Sequence, residues 1–212
     1  MSESAVTTLY YVHDPMCSWC WGFNETLKEL IEMLPNNLKL VKLLGGLAKD
    51  SDEAMPEQMQ QYLQNTWHKI EQQIPGVSFN YDFWKLNHPR RSTYPACRAV
   101  LAAGLQQENK KDAMILAIQQ AYYQQAKNPS NISVLLGLAH EIGLDYQHFE
   151  KDLISDRVNQ MLLKEIARVR SMDVISFPSL VLDFAGNQTR IEVDYQNVQK
   201  MLDKIRLIIK KL

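Results

Sequence analysis

Strand-like and helix-like patterns alternate over residues 8–44, and this alternation constrains the fold more than any other feature of the chain. The segment TLYYVHD, residues 8–14, is short and rich in aromatic and β-branched residues, which is typical of a buried strand. From Ser18 the apolar residues recur with helical spacing until Pro35, and LKLVKLL, residues 38–44, predicts a second strand. A strand, a helix and a strand in so short a stretch predict a βαβ unit with two parallel strands.

The middle of the chain has a different character. Residues 51–172 show helical periods and capping signals and almost no strand signal. Strand patterns return in FPSLVLDF, residues 177–184, and in QTRIEV, residues 188–193, which together predict a β-hairpin. Residues 195–211 predict a last helix after the hairpin. Because both ends are needed to complete one sheet, we expect residues 1–50 and 173–212 to form one discontinuous α/β domain with an all-helical insertion between them.

Composition and charge limit the classes of function. The chain has 212 residues, of which 46% are hydrophobic and 22% charged, and its formal net charge is −1. These values are typical of a globular protein that needs no disulfide framework or structural metal to fold. Without an excess of either charge, we expect no nucleic-acid partner. No segment has the ~18 apolar residues of a membrane span, and the first residues show no signal-peptide pattern, so we expect no membrane partner and a cytoplasmic location.

Two cysteines, Cys17 and Cys20, stand where the first strand gives way to the first helix, in the segment DPMCSWCWGF. The backbone N–H groups of a first helical turn have no partners within the helix, and together with the helix dipole they favour a thiolate over a thiol. Cysteines in such settings reach pKa values of about 3.5–7.5. We therefore expect Cys17 to be an exposed nucleophile and Cys20, one turn later, to be the inward-facing resolving thiol of an exchangeable disulfide.

Two other interpretations of the pair remain open: a metal site, and two core thiols that stand three residues apart by coincidence. A zinc site usually needs four ligands, often from two paired motifs. Here the third cysteine, Cys97, is isolated, and the histidines show no ligand spacing, so we expect no metal ligand. For Cys97 itself we expect a buried core position, with a role as a third exchangeable thiol as the alternative.

A proline stands at the entrance of the third predicted strand, in VISFPS. A proline there cannot donate a ladder hydrogen bond. If the bond between Phe177 and Pro178 is cis, the backbone of Phe177 turns outward beside the Cys17 sulfur, and an extended substrate could pair with it. The alternative is an ordinary trans proline at a strand entrance.

The segments DPMCSWCWGF, LGGL, YPACRAVLAA and ISFPSLVL together resemble the DsbA-like branch of the thioredoxin superfamily, and more closely its cytosolic FrnE-type disulfide isomerases, over nearly the whole chain. The resemblance implies a thioredoxin-like α/β fold with a large all-helical insertion. It implies a thiol–disulfide oxidoreductase or isomerase that acts on protein or peptide thiols through Cys17 and Cys20, with Pro178 as the cis-proline. It implies no bound cofactor and leaves glutathione as a candidate reductant.

The residues next to these landmarks are the expected substrate contacts: Ser18, Trp19, Ser176 and Phe177. We expect Trp19 to be exposed, where it can meet a peptide. The chain departs from the family pattern at two positions. Ser176 stands where relatives tend to have glycine, and Tyr11 stands where several thioredoxin-like proteins bury a carboxylate under the resolving cysteine. The second departure bears on how fast Cys20 loses its proton, and so on reductase activity.

A neighbouring branch shares the fold and supplies the alternative function. In the kappa-class glutathione transferases and the hydroxychromene carboxylate isomerases, a serine commonly replaces the first cysteine and activates or positions glutathione. By this resemblance the chain would be a glutathione-dependent transferase or isomerase. Because Cys17 occupies that place with a resolving partner, disulfide exchange is the favoured function.

Overall fold

The computed structural model describes residues 7–210, and within that range the strands form one four-stranded sheet in the order β2-β1-β3-β4. β1 (Thr7–His13) pairs in parallel with β2 (Leu38–Leu44) and antiparallel with β3 (Ser179–Phe184). β3 pairs antiparallel with β4 (Asn187–Ile191). Both the predicted parallel pair and the predicted hairpin are therefore confirmed, and the two ends of the chain meet at the centre of the sheet.

Two helices connect β1 to β2, namely α1 (Ser18–Gly22) and α2 (Asn24–Met33). The sequence predicts one continuous helix here, and that prediction is wrong at Phe23. The Phe23 ring is fully buried, and its backbone N–H donates to the carbonyl oxygens of Trp19 and Cys20, which closes α1 before α2 begins. The break leaves α1 as a separate five-residue helix directly after the first cysteine.

A series of helices fills the middle of the chain: α3 (Glu57–Gln73), α4 (Phe83–Leu86), α5 (Tyr94–Gln106), α6 (Lys110–Tyr123), α7 (Ile132–Glu141), α8 (Tyr146–Leu153) and α9 (Asp156–Ser171). The helical patterns predict all of these except α4. That single turn is formed by aromatic packing, because the buried ring of Phe83 lies edge-on against Tyr122 with centroids 4.7 Å apart. A contact so distant in sequence leaves no periodic signal.

The last helix, α10 (Val198–Lys210), begins three residues later than the pattern predicts. The side chain of Asp194 explains the delay, because its carboxylate accepts the backbone N–H groups of Gln196 and Asn197 and holds them in a turn. The final residue of the predicted helix, at position 211, lies outside the described range. Within residues 7–210 no helix has both the length and the apolar character that crossing a membrane would require.

Side chains of β1 alternate between two packed faces of the sheet, as the strand period requires. Leu9 and Tyr11 pack into the core formed with α2 and α10, whereas Tyr10 and Val12 pack against the end of α9. The helical middle is also joined to the sheet, since the carboxylate of Glu165 in α9 accepts the backbone N–H of Leu44 at 2.8 Å.

The division of the chain into two domains stays a prediction. Helices α3 to α9 lie between β2 and β3 in the chain, which agrees with an inserted block at residues 51–172. Yet the buried cluster of the helical block includes Leu44 of β2, so the block shares apolar surface with the sheet. Residues 1–6 and 211–212, which belong to the predicted α/β domain, lie outside the described range.

Candidate active site

The Cys17 sulfur lies between the first turn of α1 and the entrance of β3. Cys17 is the N-cap residue of α1, and its sulfur accepts the backbone N–H of Cys20 at 3.4 Å. On the other side, its thiol donates to the carbonyl oxygen of Phe177 at 3.4 Å. The structure thus brings together the two cysteines and the proline-containing segment, which lie 160 residues apart in the chain. Because α1 has only five residues, it has no long-helix dipole to stabilise the Cys17 sulfur. The stabilising group is the single N–H of Cys20.

Both cysteines are buried, and this corrects the expectation of an exposed nucleophile. Cys17 is 6% exposed and Cys20 is fully enclosed, and neither forms a disulfide in this structure. The first turn of α1 covers one side of the Cys17 sulfur, and the Phe177 carbonyl covers another. Only a small part of Cys17 can therefore be reached from solvent, and Cys20 cannot be reached at all.

The segment before β3 forms the opposite side of the site. The peptide bond between Phe177 and Pro178 is cis, Pro178 is buried, and Ser176 is exposed. The hydroxyl of Ser179 donates to the Ser176 carbonyl oxygen at 2.7 Å, which fixes the turn that leads into the strand. The ring of Phe177 lies against Gly45, in the loop after β2. The sequence shows the LGGL motif but gives no sign that it receives this ring.

The expected substrate contacts are unequally accessible. Ser176 is exposed and Phe177 is half-buried, but Ser18 is only 8% exposed and offers little surface to a substrate. Trp19 is also half-buried rather than exposed. Its ring packs on Tyr195 with centroids 5.2 Å apart, because the two aromatic side chains cover one edge of the core together. Of the four expected contacts, Ser176, Phe177 and part of Trp19 are therefore accessible, and we call these three residues the accessible strip.

Cys20 is fully enclosed, and Tyr11 is one of its neighbours. Burial raises the pKa of the Cys20 thiol well above its ordinary value, and the nearby Cys17 sulfur raises it further. Burial also raises the pKa of Tyr11, with a further contribution from the two cysteines. The Tyr11 ring stacks on His13 with centroids 4.9 Å apart, and burial lowers the pKa of His13 to about 3. Tyr11 and His13 are therefore both uncharged at neutral pH.

Asp14 is a buried acid that the sequence pattern does not single out. Its carboxylate is fully enclosed and accepts the backbone N–H groups of Met16 and Leu47, each at 2.8 Å, and the hydroxyl of Thr93 at 2.7 Å. Burial raises the pKa of Asp14, while these three hydrogen bonds oppose the rise. In the sequence an aspartate before a proline indicates only a turn. The hydrogen-bond partners Leu47 and Thr93 lie 33 and 79 residues away in the chain, so no local pattern indicates them.

Cys97 lies on the far side of this acid. It is fully buried in α5, as we expect for a core residue, and its thiol donates to the Asp14 carboxylate at 3.5 Å. Burial raises the pKa of Cys97, and the charge of Asp14 raises it further. Among residues 7–210 no group of three or more His, Cys, Asp or Glu side chains is arranged to hold a metal ion.

Comparisons with known proteins place this geometry in context. A family model described as thioredoxin matches residues 10–202. Among curated proteins, the chain is 26% identical over 183 residues to the ClpXP adapter protein SpxH of Halalkalibacterium halodurans, which covers 82% of the chain and 57% of that protein. It is 28% identical over 174 residues to the protein of the same name from Bacillus subtilis, covering 81% and 56%. The chain thus spans a little over half the length of the curated relatives it matches.

Solved structures match nearly the whole chain. A candidate protein disulfide isomerase from Nitrosomonas europaea superposes with a TM-score of 0.84 at 24% identity, covering 99% of both chains. The cytosolic disulfide reductase DsbM from Pseudomonas aeruginosa superposes with a TM-score of 0.73 at 23% identity, covering 96% of this chain and 97% of that one. The same reductase with GSH superposes with a TM-score of 0.70 at 22% identity, covering 96% and 98%. At these identities the likeness is one of fold.

Proposed function

Because the chain belongs to the thioredoxin family, we propose that it is a thiol–disulfide oxidoreductase that exchanges disulfides with protein or peptide thiols. Its fold is that of DsbA-like proteins, with helices between β2 and β3, as the sequence predicts. One observation carries the proposal: the Cys17 sulfur lies 3.4 Å from the backbone nitrogen of Cys20, three residues along the chain, so the two thiols belong to one site.

The first step is attack by the Cys17 thiolate on a sulfur of a substrate disulfide. A mixed disulfide forms, and the other substrate sulfur leaves as a thiolate and takes a proton. In the second step the Cys20 thiol gives up its proton and attacks Cys17. The Cys17–Cys20 disulfide forms, and the second substrate sulfur leaves. Two electrons pass from the pair to the substrate, and the reverse sequence oxidises a dithiol substrate.

The segment before β3 supports substrate binding. Ser176 is exposed, and Phe177 places its carbonyl oxygen beside the reacting sulfur. An extended peptide that pairs with this backbone would present its own sulfur to Cys17 without reading a particular side-chain sequence. The half-buried rings of Phe177 and Trp19 add apolar surface on either side, which suits varied peptide substrates.

The enclosed position of Cys20 supports isomerase activity in particular. Burial raises the pKa of Cys20, so few molecules carry the Cys20 thiolate at neutral pH, and the second step is slow. A slow second step prolongs the life of the mixed disulfide. During that time another thiol of the substrate can attack the mixed disulfide and leave with a rearranged disulfide.

Glutathione is the reductant that we propose for recycling the pair. One structure of similar fold is the reductase DsbM with GSH, which supports the choice. On this chain the ammonium group of Lys69 lies 6.0 Å from the centre of the Trp19 ring, so a cation stands next to the accessible strip. It would suit a carboxylate of glutathione. Such recycling requires a compartment that supplies reduced glutathione, and we propose the cytoplasm.

Two assays of this protein, with glutathione as the reductant, test the proposal: reduction of insulin and refolding of scrambled ribonuclease. We expect Cys17→Ser to abolish both activities, and Cys20→Ser to accumulate a mixed disulfide that mass spectrometry detects. Conjugation of glutathione to an electrophile that survives Cys20→Ser, without any ribonuclease refolding, would replace the proposal with the transferase alternative. Suppression of aggregation that is equal in both variants, without redox activity, would replace it with a binding function.

A further inference from the structure

The open edge of β2 borders a groove of about 900 Å³ that the proposed disulfide exchange does not use. Six consecutive residues of the strand, 39–44, line this groove, and residues of α5, α6 and α9 form its opposite wall. None of the three residues of the accessible strip borders it. Because six residues of extended chain span ~20 Å, the groove is long enough to receive an elongated ligand.

Two residues of β2, Leu40 and Lys42, turn unpaired backbone groups towards this groove. The backbone groups of successive strand residues point to opposite sides, and the Gly45 N–H donates to the His13 carbonyl of β1 at 2.7 Å. The N–H groups of residues 39, 41 and 43 therefore also face β1, and those of residues 40, 42 and 44 face outward. Glu165 binds only the N–H of Leu44. Within residues 7–210 the N–H groups of Leu40 and Lys42 have no hydrogen-bond partner.

The imidazole of His13, at the end of β1, also borders the groove. The residue is only 2% exposed, and no group within residues 7–210 forms a hydrogen bond with its ring. Because burial lowers the pKa of His13 to about 3, the ring is neutral and offers one N–H donor and one acceptor nitrogen. Since most buried polar groups in proteins have a partner, this ring is a polar contact that a ligand can use.

The walls of the groove carry an excess of positive charge. Five basic side chains line it, against three acidic ones; the basic ones are Lys39, Lys42, Lys111, Lys164 and Arg168. Two of the three acids form ion pairs with Lys42 and Lys111, at 2.7 and 2.8 Å. The other three basic side chains have no acidic partner in the described part of the chain. Since the whole chain has a net charge of −1, this excess is local, and it favours an acidic ligand.

We propose that this groove is a docking site for an extended acidic segment of another protein, which adds a short strand to β2 at Leu40 and Lys42. Backbone pairing at an open sheet edge gives affinity, and the side chains beside the strand give specificity. Because Glu165 already holds the N–H of Leu44, the pairing ends there. The proposal goes beyond disulfide exchange and does not depend on it. A small anion would use the charge of the groove but neither its length nor its free backbone groups.

A synthetic six-residue peptide, acetyl-EVEVEV-amide, is the probe for this proposal. Its alternation places the acids on one side of the strand and the apolar residues on the other. NMR of the labelled protein gives the Kd and the hydrogen-exchange rate of each amide. We expect saturating peptide to slow exchange at Leu40 and Lys42 by about tenfold or more, because these open amides become paired. Unchanged rates at these two amides, slowing at the other open edge in β4, or no binding up to about 1 mM would each overturn the inference.

Three further ligands and states separate the segment from other occupants. The peptide acetyl-KVKVKV-amide has the same backbone and the opposite charge, and we expect it to bind at least about tenfold more weakly. Equal binding of the two peptides would overturn the charge argument. Glutarate, a small dicarboxylate, should leave the Leu40 and Lys42 amides unprotected, and protection by glutarate would assign the groove to a small anion. A dimer of the unaltered protein that the acidic peptide does not dissociate would assign the edge to a second copy.

Variants of the protein locate the site. Lys164 is exposed on α9 beside the groove, and we expect Lys164→Glu to raise the Kd of the acidic peptide about threefold to tenfold, with insulin reduction unchanged. Lys204→Glu makes the same charge change on the exposed face of α10, away from the groove, and should leave the Kd unchanged. Equal effects of the two variants would overturn the inference. Cys17→Ser should bind the peptide like the unaltered protein, so a failure of the proposed redox function would leave this result intact.

Discussion

The ring of Phe177 fills the space in which a side chain at Gly45 would lie. A Cβ added to Gly45 would stand 2.0 Å from Cζ of Phe177, a separation that no packed pair of atoms adopts. The same Phe177 residue accepts the thiol of Cys17 through its carbonyl oxygen. The glycine of the loop after β2 therefore leaves room for the ring of the residue whose backbone carbonyl contacts the Cys17 sulfur.

The substitution Gly45→Ala should accordingly reduce activity strongly, although it adds only one methyl group. The added methyl must push the Phe177 ring away, which moves the carbonyl beside Cys17 and costs about 1–3 kcal/mol of unfolding free energy. We expect insulin reduction to fall about tenfold or more, a loss equivalent to ~1.4 kcal/mol of transition-state stabilisation. Chemical denaturation and the insulin assay measure the two effects.

Gly137→Ala is the control for that substitution. Gly137 lies inside α7, and a Cβ there would meet nothing within 4 Å. We expect stability to rise by up to about 1 kcal/mol, because alanine favours a helix over glycine, with activity unchanged. A Gly45→Ala variant as active and as stable as the Gly137→Ala variant would show that the Phe177 contact does not control the site.

The rate at which the mixed disulfide resolves should depend steeply on pH. Burial and the neighbouring Cys17 sulfur raise the pKa of Cys20, so its reactive thiolate is scarce at neutral pH and grows as pH rises. Below that pKa the thiolate fraction, and with it the resolution rate, should rise about tenfold per pH unit between pH 6 and 8. Stopped-flow measurement with a glutathionylated Cys17 tests this, and a flat profile would show that another group takes the proton.

Cys97→Ala should retain disulfide exchange. Cys97 is fully buried, and the only hydrogen bond of its side chain within the described chain is the 3.5 Å contact to Asp14. We expect a loss of about 1 kcal/mol in unfolding free energy, from the smaller side chain, and ribonuclease refolding within about twofold of the unaltered protein. Loss of refolding in a variant that folds normally would make Cys97 a third exchangeable thiol.

The stability of the fold should fall in acid partly because of His13. Burial lowers the pKa of His13 from 6.5 to about 3, so the folded chain holds it neutral while the unfolded chain protonates it below 6.5. Its stabilising contribution is therefore present above pH 6.5 and is lost as pH falls towards 3, by up to ~1.4 kcal/mol per pH unit.

The substitution His13→Phe isolates that contribution. It keeps an aromatic ring that can stack on Tyr11 and removes the titrating group. Urea unfolding between pH 7 and pH 4 should give a shallower decline in stability for the variant than for the unaltered protein. Parallel declines in the two proteins would assign the acid sensitivity to other groups.

The strands and the two cysteines could be predicted because their signals are local. The bounds of β2, Leu38–Leu44, follow from its own residues, and the position of Cys17 before a helix follows from the pattern on either side. The break at Phe23 and the turn α4 could not be predicted in this way. Both depend on side chains that become buried only when distant segments meet.

The site shows the same division between local and distant information. The proximity of Phe177 to Cys17 could be predicted only on the condition of a cis bond before Pro178, or from the family resemblance, since the two residues are 160 positions apart. Neither the burial of Ser18 nor the enclosure of Asp14 leaves a mark in the nearby sequence. The hydrogen-bond partners of Asp14 are Leu47, in the loop after β2, and Thr93, at the start of α5. The fold brings both residues to Asp14, and the motif around Cys17 gives no indication of either.

The hydrogen bond between Glu165 and the end of β2 has a consequence for how the protein interacts with other copies of itself. β2 is an outer strand of the sheet, and its outward backbone groups are a template on which another chain could grow. By accepting the N–H of Leu44, Glu165 withdraws one of those groups from such pairing. A carboxylate on a helix thus helps to protect the open side of this sheet from aggregation.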